Sequence, residues 1–194
     1  MNKILVSIIV LVLIAVGAVV VLPRSNTLPN DLGYDTEKLN VYTSEKFGFQ
    51  FYYPKKYFLE EKEVGNAERY HYAIILTEDT EENRLVREGK SPGREGPVSI
   101  NIDTYQNNLD NLSAEEWIRN TNDSNFKLSL EGVITKIMVG NKEALSYRWS
   151  GLYEADNLVV ARDENIFSFV VTYLTPEDEI RKDFDEIIKA VEFE

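Results

Sequence analysis

From Ile4 to Leu22 the chain reads ILVSIIVLVLIAVGAVVVL, nineteen residues without a charge. Wound as a helix at ~1.5 Å per residue, this run reaches ~28 Å, close to the ~30 Å hydrocarbon core of a bilayer. Whatever follows it must therefore fold as a domain tied to a membrane or released from one. Two readings compete. One is a retained single-pass anchor, in which Ile4 to Leu22 contacts the lipid bilayer. The other is a secretory signal cleaved near AVGA, where Ala15, Gly17 and Ala18 are small enough for a signal peptidase. Val19, Val20, Val21 and Leu22 would leave a greasy stub after such a cut, which favours the anchor. Lys3 and the α-amino group precede the run and Arg24 follows it, a positive-inside bias that puts the large domain on the extracytoplasmic side of the cell membrane.

The chain as a whole is acidic. Thirty-three Asp and Glu against twenty-one Lys and Arg give a net charge of −12, which repels phosphate backbones, so nucleic acid is not an expected partner. With no cysteine, disulfides, thiolate nucleophiles and thiolate metal sites are excluded by inventory. A 43% apolar content is enough for a core in one domain. Residues 1–22 are the anchor or signal segment, and residues 23–40, PRSNTLPNDLGYDTEKLN, are a polar linker with two prolines. Residues 41–194 form the globular domain.

Strand patterns dominate that domain. Val41 to Ser44 and Phe47 to Tyr53 read as a hairpin around Glu45-Lys46, and YAIILT, Tyr72 to Thr77, as a third strand. In PVSINIDTYQ, Val98, Ile100, Ile102 and Thr104 alternate with Ser99, Asn101 and Asp103, so one face is buried and the other wet. VITKIMVGNKEALSYRW reads as two strands turning at Gly140-Asn141, and NLVVARDENIFSFVVTY as two more turning over Asp163 to Asn165. The order of these turns predicts an antiparallel meander.

Two helices announce their starts. In LSAEEWIRNT, Ser113 and Glu116 have capping-box spacing, with Leu112, Trp117 and Ile118 as the apolar stripe. In TPEDEIRKDFDEIIKAVEFE, Thr175 is the expected cap and Pro176 the first helical residue. Ile180, Phe184, Ile187, Ile188 and Val191 then recur at helical spacing as the face that docks on the sheet. The fold class is α+β, an antiparallel sheet flanked by helices, preceded by one N-terminal transmembrane helix.

The aromatic stretch FGFQFYYPKKYF, Phe47 to Phe58, places Phe47, Phe49, Phe51 and Tyr53 on one strand face, as a core requires. Tyr52 and Tyr57 are the members expected at the surface, where a small ligand would stack.

That aromatic segment, a long acidic-to-basic insertion, the LSAEEWI helix, the VGNKEALSYRW hairpin and the C-terminal IIKAVEF helix together resemble the PsbP-like α/β/α sandwich family over Asn40 to Glu194. The resemblance implies an antiparallel sheet between helices and an extracytoplasmic, non-catalytic accessory role. The founding member is an extrinsic subunit that stabilises the inorganic cofactors of photosystem II. No ligand residue of that subunit carries over, because no motif here matches one position for position.

Signs of catalysis are few. No G-x-S-x-G elbow, P-loop, G-x-G-x-x-G or H-E-x-x-H occurs, so no catalytic residue, cofactor or metal is expected. His71, the single histidine, reads as a half-buried or solvated imidazole, with pH sensing or general-base work as the alternative. Glu115 and Glu116 are explained by their place in a helix first turn. EDTEENRLVREGKSPGREGP, Glu78 to Pro97, is long and polar, and reads as a solvated mobile insertion or as a partner-binding loop using Arg84, Arg87 and Arg94. The expected function is a membrane-tethered accessory domain that binds a protein partner or ligand at the envelope. The alternative is an envelope hydrolase with an unrecognised carboxylate or Ser-based site.

Overall fold

Strand β5, Ile100–Gln106, sets the layering. Ile100, Ile102 and Thr104 are fully buried on one face, while Asn101, Asp103 and Tyr105 point to the other and are half-buried. Because side chains alternate along a strand, this one segment must serve two environments. The computed structural model, which describes residues 36–65, 69–91 and 95–194, has a covering layer on each face of a seven-stranded antiparallel sheet. The expected transmembrane segment at Ile4 to Leu22 lies outside the described residues. Among the described residues, no helix is long and apolar enough to cross a membrane.

The large sheet has the order β3-β4-β5-β9-β8-β7-β6, with β3 at Tyr57–Glu63, β4 at His71–Glu78, β6 at Thr135–Val139, β7 at Lys142–Ser150, β8 at Glu154–Arg162 and β9 at Asn165–Tyr173. It is not the single meander that the turns predicted. From β5 the chain crosses one face through helix α2, Ala114–Asn120, to the far edge, and then returns strand by strand until β9 pairs with β5. Two antiparallel series thus meet in the middle of the sheet.

On the first face lie helix α3, Glu179–Lys189, and a three-stranded sheet of β1, Leu39–Ser44, β2, Phe49–Pro54, and β10, Glu192–Phe193. Phe49 and Phe51, 1% and 0% exposed, meet Phe167, Phe169 and Phe193 in the main core, with Phe49 edge-on to Phe167 at 5.5 Å between centroids. Burying each of these rings is worth ~1.5–3 kcal/mol. Ile180, Phe184, Ile187 and Ile188 turn the apolar stripe of α3 into the same core. Arg162 ties the chain end down, donating to the carbonyls of Gly48 at 2.9 Å and Glu194 at 2.8 Å.

Several sequence expectations need correction. Helix α3 begins at Glu179, three residues after Pro176. The Asp178 carboxylate accepts from Leu174 N–H, Thr175 N–H and the Thr175 hydroxyl, which fixes TPE as a turn rather than a first helical turn. Val191 is buried but lies beyond the helix, where the chain turns to add β10 to β2. The Glu78 to Pro97 segment is not structureless, since Glu81–Arg87 forms helix α1 capped by Thr80, whose hydroxyl accepts from Asn83 N–H at 3.1 Å. YFLEEKE, to which the sequence patterns assigned no strand, is strand β3.

Two glycines are required by geometry. Gly140 has φ +54° in the β6–β7 turn, and a Cβ there would lie 2.2 Å from the Val191 carbonyl oxygen. Gly65, in the β3–β4 loop, would bring a Cβ to 2.0 Å from the Arg69 carbonyl oxygen.

Candidate functional site

The second face of the sheet is only partly covered. Helix α2 is set by its capping box, in which the Ser113 hydroxyl accepts from Glu116 N–H while Glu116 accepts from Ser113 N–H at 2.8 Å. It drives Trp117 and Ile118 against Tyr147, Val159 and Ile166. A buried polar chain docks this segment on the sheet: Ser168 donates to Asn157 at 3.1 Å, Asn157 to Tyr147 at 2.6 Å, and Tyr147 to the Ser124 carbonyl at 2.5 Å. Burial pushes the Tyr147 phenol well up from its ordinary value, so it serves as a neutral donor.

Where α2 ends its coverage, a cleft of about 310 Å³ opens between the start of β4, the end of β5 and the helix. Its wall is a run of stacked rings. His71 lies parallel to Tyr105, with centroids 4.1 Å apart and planes 18° apart, and Tyr105 leans on Trp117 at 5.1 Å. The β4–β5 register dictates the first contact, since His71 pairs directly with Tyr105. His71 Nε2 lies 2.7 Å from Asp103 Oδ1, and the two side chains are 21% and 15% exposed. With Nε2 protonated the ring donates to Asp103 and keeps Nδ1 as an acceptor. Burial pushes the Tyr105 phenol up, and the Asp103 charge adds to the shift.

The rim is polar. Arg69 pairs with Asp110 at 2.7 Å across the mouth. Asn107 is buried and latches the loop after β5, donating from Nδ2 to the Leu112 carbonyl and accepting from Leu112 N–H through Oδ1. Asp123 completes the acidic side. A stacked aromatic wall with both charge signs at its mouth suits a planar or side-chain-bearing guest. A His–Asp pair supplies proton transfer, with the carboxylate orienting the imidazole. Among the described residues, no group of three or more His, Asp or Glu is placed to hold a metal ion.

Among the described residues, none of those singled out from sequence for binding lies in this cleft. Tyr52 is 8% exposed and Tyr57 5%, so neither is the surface ring expected of it. Tyr57 packs in the main core because the chain turns after Pro54 and starts β3 with this residue, where its phenol reaches Asp183 on α3. Tyr52 is covered although it points away from Phe49 and Phe51 on β2. Arg84 pairs with Glu81 on its own helix. Arg87 binds Asp79 at 2.7 Å and covers the Phe58 ring at 4.1 Å. Arg94 lies outside the described residues. The polar face of β5 was legible in PVSINIDTYQ, and His71 was noticed. The pairing of Arg69 with Asp110 depends on two loops meeting, which no local pattern encodes.

No family model matches the sequence. No curated protein matches it either. Among solved structures, one of a protein from Bacteroides thetaiotaomicron VPI-5482 matches with a TM-score of 0.48 and 11% identity over 81% of this chain and 49% of that one, so the chain spans about half that protein's length. The solution structure of cyanobacterial PsbP (CyanoP) from Synechocystis sp. PCC 6803 matches with a TM-score of 0.52 and 10% identity, over 84% of this chain and 96% of that one. A match that covers most of both chains, together with an antiparallel sheet that carries helices on both faces, shows that this chain has the PsbP-like fold.

Proposed function

We propose that this chain is a membrane-tethered, extracytoplasmic accessory domain that is not an enzyme and holds a protein partner or ligand at the cell envelope, with the His71–Tyr105–Trp117 cleft as its contact surface. The observation that carries the reading is the stacked wall of that cleft, which offers apolar ring faces beside Arg69 and Asp110, a composition suited to recognition. The tether rests on the nineteen uncharged residues from Ile4 to Leu22, which lie outside the described residues. An accessory role also fits the PsbP-like fold, although fold alone does not carry function.

A second reading, an envelope hydrolase, is favoured by one observation, the 2.7 Å His71–Asp103 pair beside a cleft. One set of experiments separates the two. A photo-crosslinking side chain in place of Arg69 yields one discrete adduct in intact cells, and the same group at Leu174, 67% exposed, yields none. Equal labelling at both positions overturns the cleft as contact surface. Turnover of ester or glycoside substrates that is lost in His71→Asn establishes the hydrolase instead. The full chain resists carbonate extraction from membranes, whereas a soluble mature form beginning near Val19 replaces the tether with secretion.

A further inference from the structure

The two edges of the large sheet are guarded differently. A free strand edge offers unpaired backbone groups to any passing chain unless charge, proline or a bulge protects it. β3 is protected, with Glu60, Glu61, Lys62 and Glu63 in its seven residues. β6, the other edge, reads TKIMV, has Lys136 as its one charge, and presents Ile137 at 42% and Met138 at 56% exposure. We propose that β6 pairs antiparallel with the same strand of a second copy, about a two-fold axis at Ile137, and joins two sheets into one.

The register of β6 on β7 fixes which groups are free to do this. Val139 pairs with Lys142 across a two-residue turn, and in such a turn the flanking pair exchanges both its hydrogen bonds. By alternation Ile137 and Thr135 also bond inward, to Ala144 and Ser146, and the N–H and C=O of Lys136 and Met138 face outward. A two-fold axis at Ile137 sets Lys136 opposite the partner's Met138 and Met138 opposite the partner's Lys136. The outward-facing groups therefore meet each other. Ile137 falls opposite the partner's Ile137 as a non-hydrogen-bonded pair, ~4.5 Å between Cα atoms.

Charge selects the occupant and the register. Lys136 and Glu143 are 2.9 Å apart, and Glu143 is the cross-strand neighbour of Met138. In this register the partner's Lys136, Met138 and Glu143 lie in one row on one face, with ~10 Å between the outer Cα atoms, a span that lysine and glutamate side chains cover together. Each Glu143 then stands between two lysines. Centring the axis on Lys136 instead would oppose like charges, which destabilises a strand pair. Lys136 on the edge and Lys142 at the start of β7 make this corner less acidic than the chain as a whole, whose net charge is −12, which lowers the repulsion between copies.

The absence of cysteine makes the test clean. In the full chain in detergent, Ile137→Cys carries a single thiol and gives a disulfide-linked dimer on mild oxidation, while Leu174→Cys, at an exposed site beyond β9, stays monomeric. If Ile137→Cys yields no more dimer than Leu174→Cys, the proposal is overturned. Sedimentation supplies a second measurement. The native chain runs as a dimer at tens of micromolar, and Met138→Lys, folded by its unchanged melting curve, weakens association tenfold or more. A monomer mass for the native chain, or a dimer indifferent to Met138→Lys, also overturns it.

Discussion

The phenol of Tyr57 donates a 2.6 Å hydrogen bond to Asp183, joining the first residue of β3 to α3. Lys56 reaches the same carboxylate at 2.8 Å and Glu179 at 2.8 Å. Burial, and then the bond to Asp183, pushes the Tyr57 phenol far above its ordinary value, so the donor stays neutral. Tyr57→Phe keeps the ring in the core and removes only this donor, while Asp183 retains Lys56. The expected loss is ~1–2 kcal/mol, read from the denaturant midpoint at unchanged slope. An unchanged midpoint would mean that Lys56 alone satisfies Asp183.

Phe49 and Phe51 anchor the small sheet on the large one. Phe49 touches Phe167 and Phe193, while Phe51 stacks on Tyr42 at 5.2 Å. Phe49→Ala or Phe51→Ala therefore empties a site with no solvent route and costs ~3–5 kcal/mol. Denaturant midpoints check both variants. Values equal to the native chain would place the stretch on the surface.

The positions of these rings mark how far the sequence could be read. Alternation along β5, the capping box of Ser113 and Glu116, and the Gly140 turn are local rules, and each held in three dimensions. What escaped depends on distant partners. Tyr57 looked free because its partner Asp183 lies 126 residues along the chain. The α1 helix escaped because it buries no residue, which leaves no apolar stripe to detect. β10 is two residues long and exists only because β2 offers an edge. The cleft combines one legible part, the polar face of β5, with Arg69 and Asp110 from separate loops.

Tyrosines Tyr42, Tyr57, Tyr105 and Tyr147 all have phenols pushed well above the ordinary value, in each case chiefly by burial. A raised native value means that the folded state holds its protons while the unfolded chain releases them near pH ~10. Stability is therefore full below pH ~10 and declines as pH rises above it. Absorbance at the tyrosinate band should show these four ionising in one step that coincides with loss of far-ultraviolet circular dichroism. Gradual ionisation in a still-folded chain would contradict their burial.

The three arginines once grouped as a binding loop now divide. Among the described residues Arg84 pairs only with Glu81 one turn away, both groups more than half exposed, so Arg84→Ser should change stability by less than ~0.5 kcal/mol. Arg87 is 18% exposed, bonds Asp79 at 2.7 Å and Thr77 at 3.3 Å, and lies over Phe58. Arg87→Ser removes a charge-assisted bond and a cation–π contact together, with an expected loss of ~1–2 kcal/mol. The double variant Arg84→Ser with Arg87→Ser should unfold at nearly the same denaturant midpoint as Arg87→Ser alone. Recognition of an acidic partner would appear differently, as weaker binding and a flatter salt dependence already present in Arg84→Ser, whose fold is intact. If Arg84→Ser binds as the native chain does and only variants lacking Arg87 lose affinity, in step with their lost stability, then Arg87 serves to hold α1 on the sheet edge and the partner is met elsewhere.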